Sequence, residues 1–297
     1  MSKKWKGIVL AGGLGTRLYP VTKVISKHVI PVYNKPMIHY SLSTLLLASI
    51  RDIAIISDIE NINLYKKMFG SGKDLGINLS YLTQEKPRGI AESFLIAEDF
   101  IGKDNISLIL GDNIFYGASL RKKLLEAKKS KKSAVVFSYQ VQNPSSFGVV
   151  EYNKKNQPIS IVEKPKKPKS SHAVTGLYFY KNNVVRNSKK IKLSSRNQYE
   201  ITDLNNIYLK NQDLEVAKLG RGFAWLDMGT HDSLLDASNF IRTIERRQGT
   251  KISCLEEYSY LNKWINKKDL LKIAKSHSDN EMSNYLLSLS KEAIFWK

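Results

Sequence analysis

The 297-residue chain has one cysteine, Cys254, so no disulfide can close within it and a reducing cytoplasm is the expected compartment. Long apolar runs are missing too. The longest, around Leu45-Leu46-Leu47-Ala48, is far too short to cross a bilayer, and Met1-Ser2-Lys3-Lys4 leads into an apolar run broken at once by Gly12-Gly13, so neither a membrane span nor a signal peptide is expected. The five histidines, His28, His39, His172, His231 and His277, show no paired spacing, which argues against zinc. There is no Gly-x-Ser-x-Gly nucleophile elbow, so no candidate for covalent catalysis stands out. Neither an internal repeat nor a Pro/Gly/Ser linker divides the chain.

Negative charge is also scarce: 27 acidic residues face 47 Lys and Arg, a net charge of +20. Such an excess invites a nucleic-acid reading. The basic runs at Arg121-Lys122-Lys123, Lys128-Lys129, Lys131-Lys132 and Lys164 to Lys169 lack interleaved aromatics or a recognition motif, however, and solvated helix and loop faces account for most of them. Weak association with polyanions at low salt follows from charge alone.

What is present is a glycine loop. The apolar run Gly7-Ile8-Val9-Leu10 reads as a buried strand, and Gly12, Gly13 and Gly15 after it let the backbone turn sharply and bring its N–H groups to a ligand. A P-loop is excluded because Arg17 or Leu18 stands where its second glycine belongs. A dinucleotide fingerprint is excluded because Leu18 replaces its third glycine. The remaining loop ends in Arg17, with Lys27 ten residues on, and these two cations could grip a triphosphate at two places. A tight strand-to-helix turn with a solvated arginine is the structural alternative.

Periodicity then predicts a helix starting near Pro36, with Ile38, Leu42, Leu45 and Leu46 on one face, and a covered strand at Asp52 to Ser57. A helix around Asn63 to Phe69, a strand at Ile77 to Leu82, a helix from Gly89 to Phe100 and a strand at Ser107 to Leu110 continue the alternation. This is the pattern of an α/β protein with a mainly parallel sheet flanked by helices. From about Ser133 the runs Ala134 to Tyr139, Gly148 to Tyr152, Ile159 to Glu163 and Val174 to Tyr180 suggest a smaller β-rich half of one continuous domain. Helices are expected at Thr202 to Lys210 and Ser233 to Arg247 around a strand at Leu214 to Lys218, then short helices ending in Asn284 to Leu289 and Ala293 to Trp296.

Ligands of such sheets bind beyond the carboxyl ends of the strands, where the glycine loop and Asp112 both fall. Asp112, after Leu110-Gly111, and Asp227, in Trp225-Leu226-Asp227-Met228-Gly229-Thr230, are candidate Mg²⁺ anchors, since that ion takes oxygen ligands and keeps several waters. A helix cap or turn is the alternative for each. Glu163 and Lys164 close a strand side by side, on opposite faces if it continues, and could grip sugar hydroxyls and a sugar phosphate, or form an edge stopped by Pro165.

The motifs Gly12-Gly13-x-Gly15-Thr16-Arg17-Leu18, Lys27-x-x-x-Pro31, Gly111-Asp112-Asn113, Glu163-Lys164-Pro165, Glu200-Ile201-Thr202-Asp203 and Trp225-Leu226-Asp227-x-Gly229-Thr230 together resemble the glucose-1-phosphate thymidylyltransferase family. The resemblance runs from about Lys6 to Gly249 and less firmly beyond. It implies a Rossmann-like nucleotidyltransferase fold over residues 1–250, with a nucleotide-binding half about 1–132, a sugar-binding half about 133–250, and a C-terminal helical segment 251–297 for regulation or oligomer contact. It also implies formation of dTDP-glucose and pyrophosphate from dTTP and α-D-glucose 1-phosphate by Mg²⁺-assisted in-line attack, a first step toward dTDP-L-rhamnose and surface polysaccharide. By the same resemblance Arg17 and Lys27 are the catalytic and triphosphate cations, Gly12, Gly13, Gly15 and Thr16 line the nucleotide loop, and Asp112 and Asp227 hold Mg²⁺. Gln84 and Gly89 match thymine readers, Gly148, Glu163 and Val174 match glucose contacts, and Lys164 and Arg196 match holders of its phosphate. A homotetramer inhibited by dTDP-rhamnose is implied as well.

The chain departs from the family pattern at His28 (often Gln), Arg88 (often Asp), Phe147 (often Tyr), Leu255 (often Pro) and Leu261 (often Arg). A UTP-dependent or relaxed-specificity enzyme is the near alternative, because one methyl and one hydroxyl separate the substrates. An inactive sugar-nucleotide-binding regulator is the alternative of another class.

Overall fold

The computed structural model describes residues 3–277 and 280–291. The helix expected at Ala293 to Trp296 lies outside the described residues.

Strand β1 (Trp5–Leu10) leads through the glycine loop and a small hairpin, β2 (Pro31–Val32) and β3 (Lys35–Pro36), into helix α1 (Met37–Leu47). Then follow β4 (Asp52–Ser57), α2 (Ile62–Phe69), β5 (Asn78–Thr83), α3 (Glu92–Ile96), α4 (Glu98–Ile101), β6 (Asn105–Leu110), β7 (Asn113–Tyr116) and α5 (Leu120–Lys129). The second half contributes β8 (Ala134–Gln140), β9 (Gly148–Tyr152), β10 (Pro158–Glu163), β11 (His172–Tyr180), α6 (Val184–Ser188), α7 (Ile201–Lys210), β12 (Leu214–Leu219), β13 (Ala224–Asp227) and α8 (His231–Gln248). Three helices end the described chain: α9 (Leu255–Leu261), α10 (Lys267–Ser276) and α11 (Glu281–Leu289).

One mixed, nine-stranded sheet spans both halves. β6, β1, β4 and β5 lie side by side and parallel, whereas β11 joins antiparallel to β6 and carries β8 on its other side. β12 closes that edge parallel to β8, and β9 and β10 continue from the first part of β11. Alternation explains why both faces are covered: in β1, Ile8 and Val9 are fully buried in opposite core clusters. One cluster takes Ile38, Leu42, Leu45 and Leu46 of α1 with residues of α2 and α5. The other takes Phe94 of α3 and Ile201, Leu204 and Tyr208 of α7. Each such burial contributes about 1.5–3 kcal/mol, so the sheet and its helices stand together.

Three expectations need correction. The helix read from Gly89 to Phe100 is two short helices that break at Ala97, and the chain before Glu92 is loop. β7 and β13, unforeseen as strands, pair antiparallel with Asp227 opposite Asn113. Lys128, read among solvated runs, crosses to the end of α1 and donates to the carbonyls of Ala48 and Ser49 at 2.7 and 3.2 Å. Burial lowers its ammonium from the usual lysine range. No helix among the described residues is long and apolar enough to cross a membrane.

Candidate active site

The site begins with strand register. Leu10 of β1 pairs with Ile56 of β4 and Leu110 of β6, so the glycine loop and Gly111-Asp112 leave the sheet at the same edge. Gly13 and Gly15 have φ of 108° and 60°, conformations a side chain disfavours, and they turn the loop into a single helical turn over Thr16–Leu18. Leu18, 1% exposed, pins that turn to the core, while the Thr22 hydroxyl donates to the Gly15 carbonyl at 2.7 Å. This geometry is the tight turn, with Arg17 exposed at its end.

β13 brings Asp227 to the same place, and the Met228 N–H donates to the Asp112 carbonyl at 3.0 Å. Burial pushes the Asp227 carboxyl up and the nearby Asp112 carboxylate adds to it, to about 6, against the opposing pull of Lys27, Arg17 and Lys164. For Asp112 burial also pushes upward, but Lys27, His28 and hydrogen bonds from Lys27 and Asn113 outweigh it and hold the carboxyl low. The Lys27 ammonium is paired with Asp112 Oδ2. Asn113 orders this corner: its Nδ2 donates to Asp112 Oδ1 at 2.9 Å, while its Oδ1 accepts from Trp225 Nε1 at 2.6 Å and from the Gly176 N–H at 3.1 Å.

A cavity of about 1020 Å³ opens beside these acids and is lined by Thr16, Arg17, Asp112, Gly148, Glu163, Lys164, Val174 and Asp227. It shares Glu163 and Lys164 with a cavity of about 220 Å³ that also touches Gly12, Gly13, Gln84, Gly89 and Arg196. That one shares Gly12, Gly13 and Gln84 with a third, of about 310 Å³, reaching Lys27. All the site residues read from the sequence, save Gly15, line one or more of these three adjoining cavities. Gly15 sits beneath the loop, where an added β-carbon would stand 3.1 Å from Thr22 Cγ2 and 3.3 Å from Lys27 Cβ.

At the far end Glu163 is held by Thr202, whose hydroxyl donates at 2.6 Å, and by Arg196 at 3.2 Å. Arg196 also pairs with Glu200 at 2.8 Å. The strand does not continue past Glu163. Lys164 is left-handed, with φ of 44°, and its N–H donates to the Phe147 carbonyl, so Glu163 and Lys164 face the same cavities instead of opposite sides. Beside the glycine loop, Gln84 Nε2 donates to Glu92 Oε2 at 2.7 Å. Gly89, with φ of 102°, packs so tightly on Tyr199 that a β-carbon would stand 2.5 Å from its carbonyl oxygen.

Asn113, Glu92 and Thr202 were assigned no role by sequence reasoning, although Asn113 and Thr202 lie inside motifs it quoted. For Glu92 no local signal pointed to its pairing, because Arg88 lies in the loop before α3. The other departure near the glycine loop, His28, is buried against Gly111 beside the Lys27–Asp112 pair, and burial followed by the Lys27 charge holds its imidazole down to about 3. Phe147 packs edge-on against Trp225 with ring centroids 5.1 Å apart.

A mixed α/β sheet whose strand ends carry a glycine loop, two adjoining carboxylates and a ring of cations is the framework of a phosphate-group transferase. The sequence profile of the nucleotidyl transferase family matches residues 6–244, and the chain belongs to that family. It is 50% identical over 287 residues to the glucose-1-phosphate thymidylyltransferase of Neisseria meningitidis serogroup A, covering 97% of this chain and 100% of that protein. With the enzyme of the same name from Mycobacterium tuberculosis it shares 48% over 284 residues, 96% of this chain and 98% of that one. A Bacillus anthracis protein assigned as a glucose-1-phosphate thymidylyltransferase and crystallised with sucrose superposes with a TM-score of 0.75 at 42% identity, over 80% of this chain and 96% of that one.

Proposed function

We propose that the protein transfers the thymidylyl group of dTTP to α-D-glucose 1-phosphate, giving dTDP-glucose and pyrophosphate. The observation that carries this reading is the gathering of Arg17, Lys27, Asp112 and Asp227 at one edge of the sheet, in adjoining cavities that share their lining with Glu163, Lys164 and Arg196. The names of the full-length relatives supply the nucleotide and the sugar.

A phosphate oxygen of the sugar phosphate attacks the α-phosphorus of dTTP as the bond to the bridging oxygen of the leaving pyrophosphate breaks. No residue forms a covalent bond, so the side chains orient the reactants and balance charge. Arg17 grips the triphosphate as a planar fork, and Lys27 moves from Asp112 to phosphate oxygens as a point charge. Lys164 and Arg196 hold the attacking phosphate, Glu163 and the backbone around Gly148 and Val174 hold the hexose hydroxyls, and Gln84 and Gly89 meet the base.

Asp112 and Asp227 suit Mg²⁺. They are two hard oxygen donors set side by side, and among the described residues no group of three or more His, Cys, Asp or Glu builds a closed cage. That leaves positions for water and phosphate, the mode this ion prefers. When bound, the ion would neutralise charge on the phosphates of the nucleotide.

The same reading extends to a cytoplasmic homotetramer with feedback by dTDP-rhamnose through residues 251–297, supported by the family resemblance. The test of the activity is direct: purified protein with Mg²⁺, dTTP and glucose 1-phosphate should form dTDP-glucose and pyrophosphate in equal amounts. Failure to release pyrophosphate with dTTP would overturn it, and release with UTP alone would replace it with the uridylyl reading.

A further inference from the structure

Gln84 is 6% exposed, and its amide is anchored on one side by the 2.7 Å bond from Nε2 to Glu92 Oε2. Only the nitrogen end of a carboxamide can serve a carboxylate, so this bond decides which way the amide faces. Its oxygen is turned over the glycine loop, where a β-carbon added to Gly12 would lie 3.0 Å from Gln84 Oε1, and both residues line the same cavity. Glu92 is fixed in turn. Arg88 reaches its Oε1 with Nε at 2.7 Å and Nη2 at 2.6 Å, leaving Oε2 to Gln84. The Glu92 side chain is 6% exposed and that of Arg88 51%, so the cation closes the outside of a buried carboxylate.

We infer that Glu92 is a positioning residue for base selection, which holds the Gln84 carbonyl oxygen toward the cavity so that the site reads a ring N–H. Thymine and uracil offer that donor at N3, whereas cytosine offers an acceptor there and meets oxygen against nitrogen lone pair. The inference rests on the thymidylyl-transfer reading above. Turning the amide over would bring Gln84 Oε1 against a carboxylate oxygen with no donor between them, in a place nearly closed to water. The arginine that departs from the family pattern at position 88 therefore acts on the base through two intermediaries, Glu92 and Gln84.

The experiment compares kcat/KM for dTTP and dCTP, each with glucose 1-phosphate, in wild type and variants. Glu92→Met removes the acceptor while keeping side-chain length, and the dTTP-to-dCTP ratio should fall by about tenfold or more. Glu92→Gln retains a carbonyl for Gln84, since half-exposed Arg88 can swing outward, and should keep the ratio within about threefold. The double variant Arg88→Met/Glu92→Met leaves no unpaired charge and should show the same fall, which answers the question if the single variant folds poorly. An unchanged ratio in a folded methionine variant, or an equal loss in Glu92→Gln, overturns the inference. Absence of wild-type turnover with dTTP would instead overturn the proposed activity.

Discussion

The Arg17 guanidinium lies against Gly229: a β-carbon placed on that glycine would stand 2.5 Å from Arg17 Nη2 and 2.9 Å from its central carbon. Glycine at 229 is what lets the cation from the first loop reach the segment that follows β13. Gly229→Ala should push Arg17 aside and lower kcat/KM for dTTP by about 10- to 100-fold, the scale of a displacement of about 1 Å. The colliding atoms are the far end of a flexible, exposed side chain, so the melting temperature should barely move. Steady-state kinetics beside thermal unfolding of the same variant check both halves.

Removing the metal should stop turnover. Chelation by excess EDTA should abolish pyrophosphate release, and Mg²⁺ should restore it. Asp227→Asn keeps shape but removes one charge from the pair, and should cost 100-fold or more in turnover, roughly the size of losing one strong transition-state contact. Titrating Mg²⁺ into the variant tests whether the loss lies in metal affinity.

Acid should destabilise the fold through two buried histidines, offset in part by Asp227, whose raised carboxyl takes up its proton first in the folded state. Burial, then Lys27, holds His28 to about 3, and burial, then Lys35, holds His39 to about 4. In the unfolded chain each imidazole titrates near 6.5, so between there and the folded values the unfolded state binds more protons. Stability is therefore lost as pH falls from about 6.5, by about 2 kcal/mol per histidine at pH 5. Urea unfolding at pH 7 and pH 5 measures this, and His39→Leu should remove about 2 kcal/mol of the difference.

The hairpin after Lys27 is tied to α8 through a buried ion pair. Glu245, with a side chain 2% exposed, accepts from Lys35 at 3.0 Å, Asn34 at 2.8 Å and the Ile252 N–H at 2.9 Å. Lys35→Met removes one donor from that carboxylate, which keeps Lys251 at 3.3 Å, and should cost about 1–3 kcal/mol in chemical denaturation. The double change Lys35→Met/Glu245→Leu should not recover the loss, because the Ile252 N–H and the Asn34 amide would then lack their acceptor.

Much of the fold was legible where local pattern and tertiary fate agree. Asp52 to Ser57 is a continuous apolar run, and it forms a central strand with those bounds because helices cover both faces. β7 and β13 escaped because each is four residues long and gains meaning only by pairing across more than a hundred residues of chain. At the site, strand ends and glycines placed Asp112 and the loop together, since parallel neighbours end at one edge. Side-chain partnerships were beyond reach: nothing local says that Lys164 turns left-handed, or that Arg88 is spent on Glu92. Both depend on what the backbone brings alongside.

The central claim is direct, in-line displacement at the α-phosphorus with charges, not a covalent link, doing the work. The stereochemical course measures this most directly: dTTP carrying sulfur in one defined position on the α-phosphorus is converted with glucose 1-phosphate, and the product configuration is read by phosphorus NMR. A single displacement predicts inversion at that phosphorus, whereas retention would require a nucleotidylated enzyme intermediate and would contradict the account.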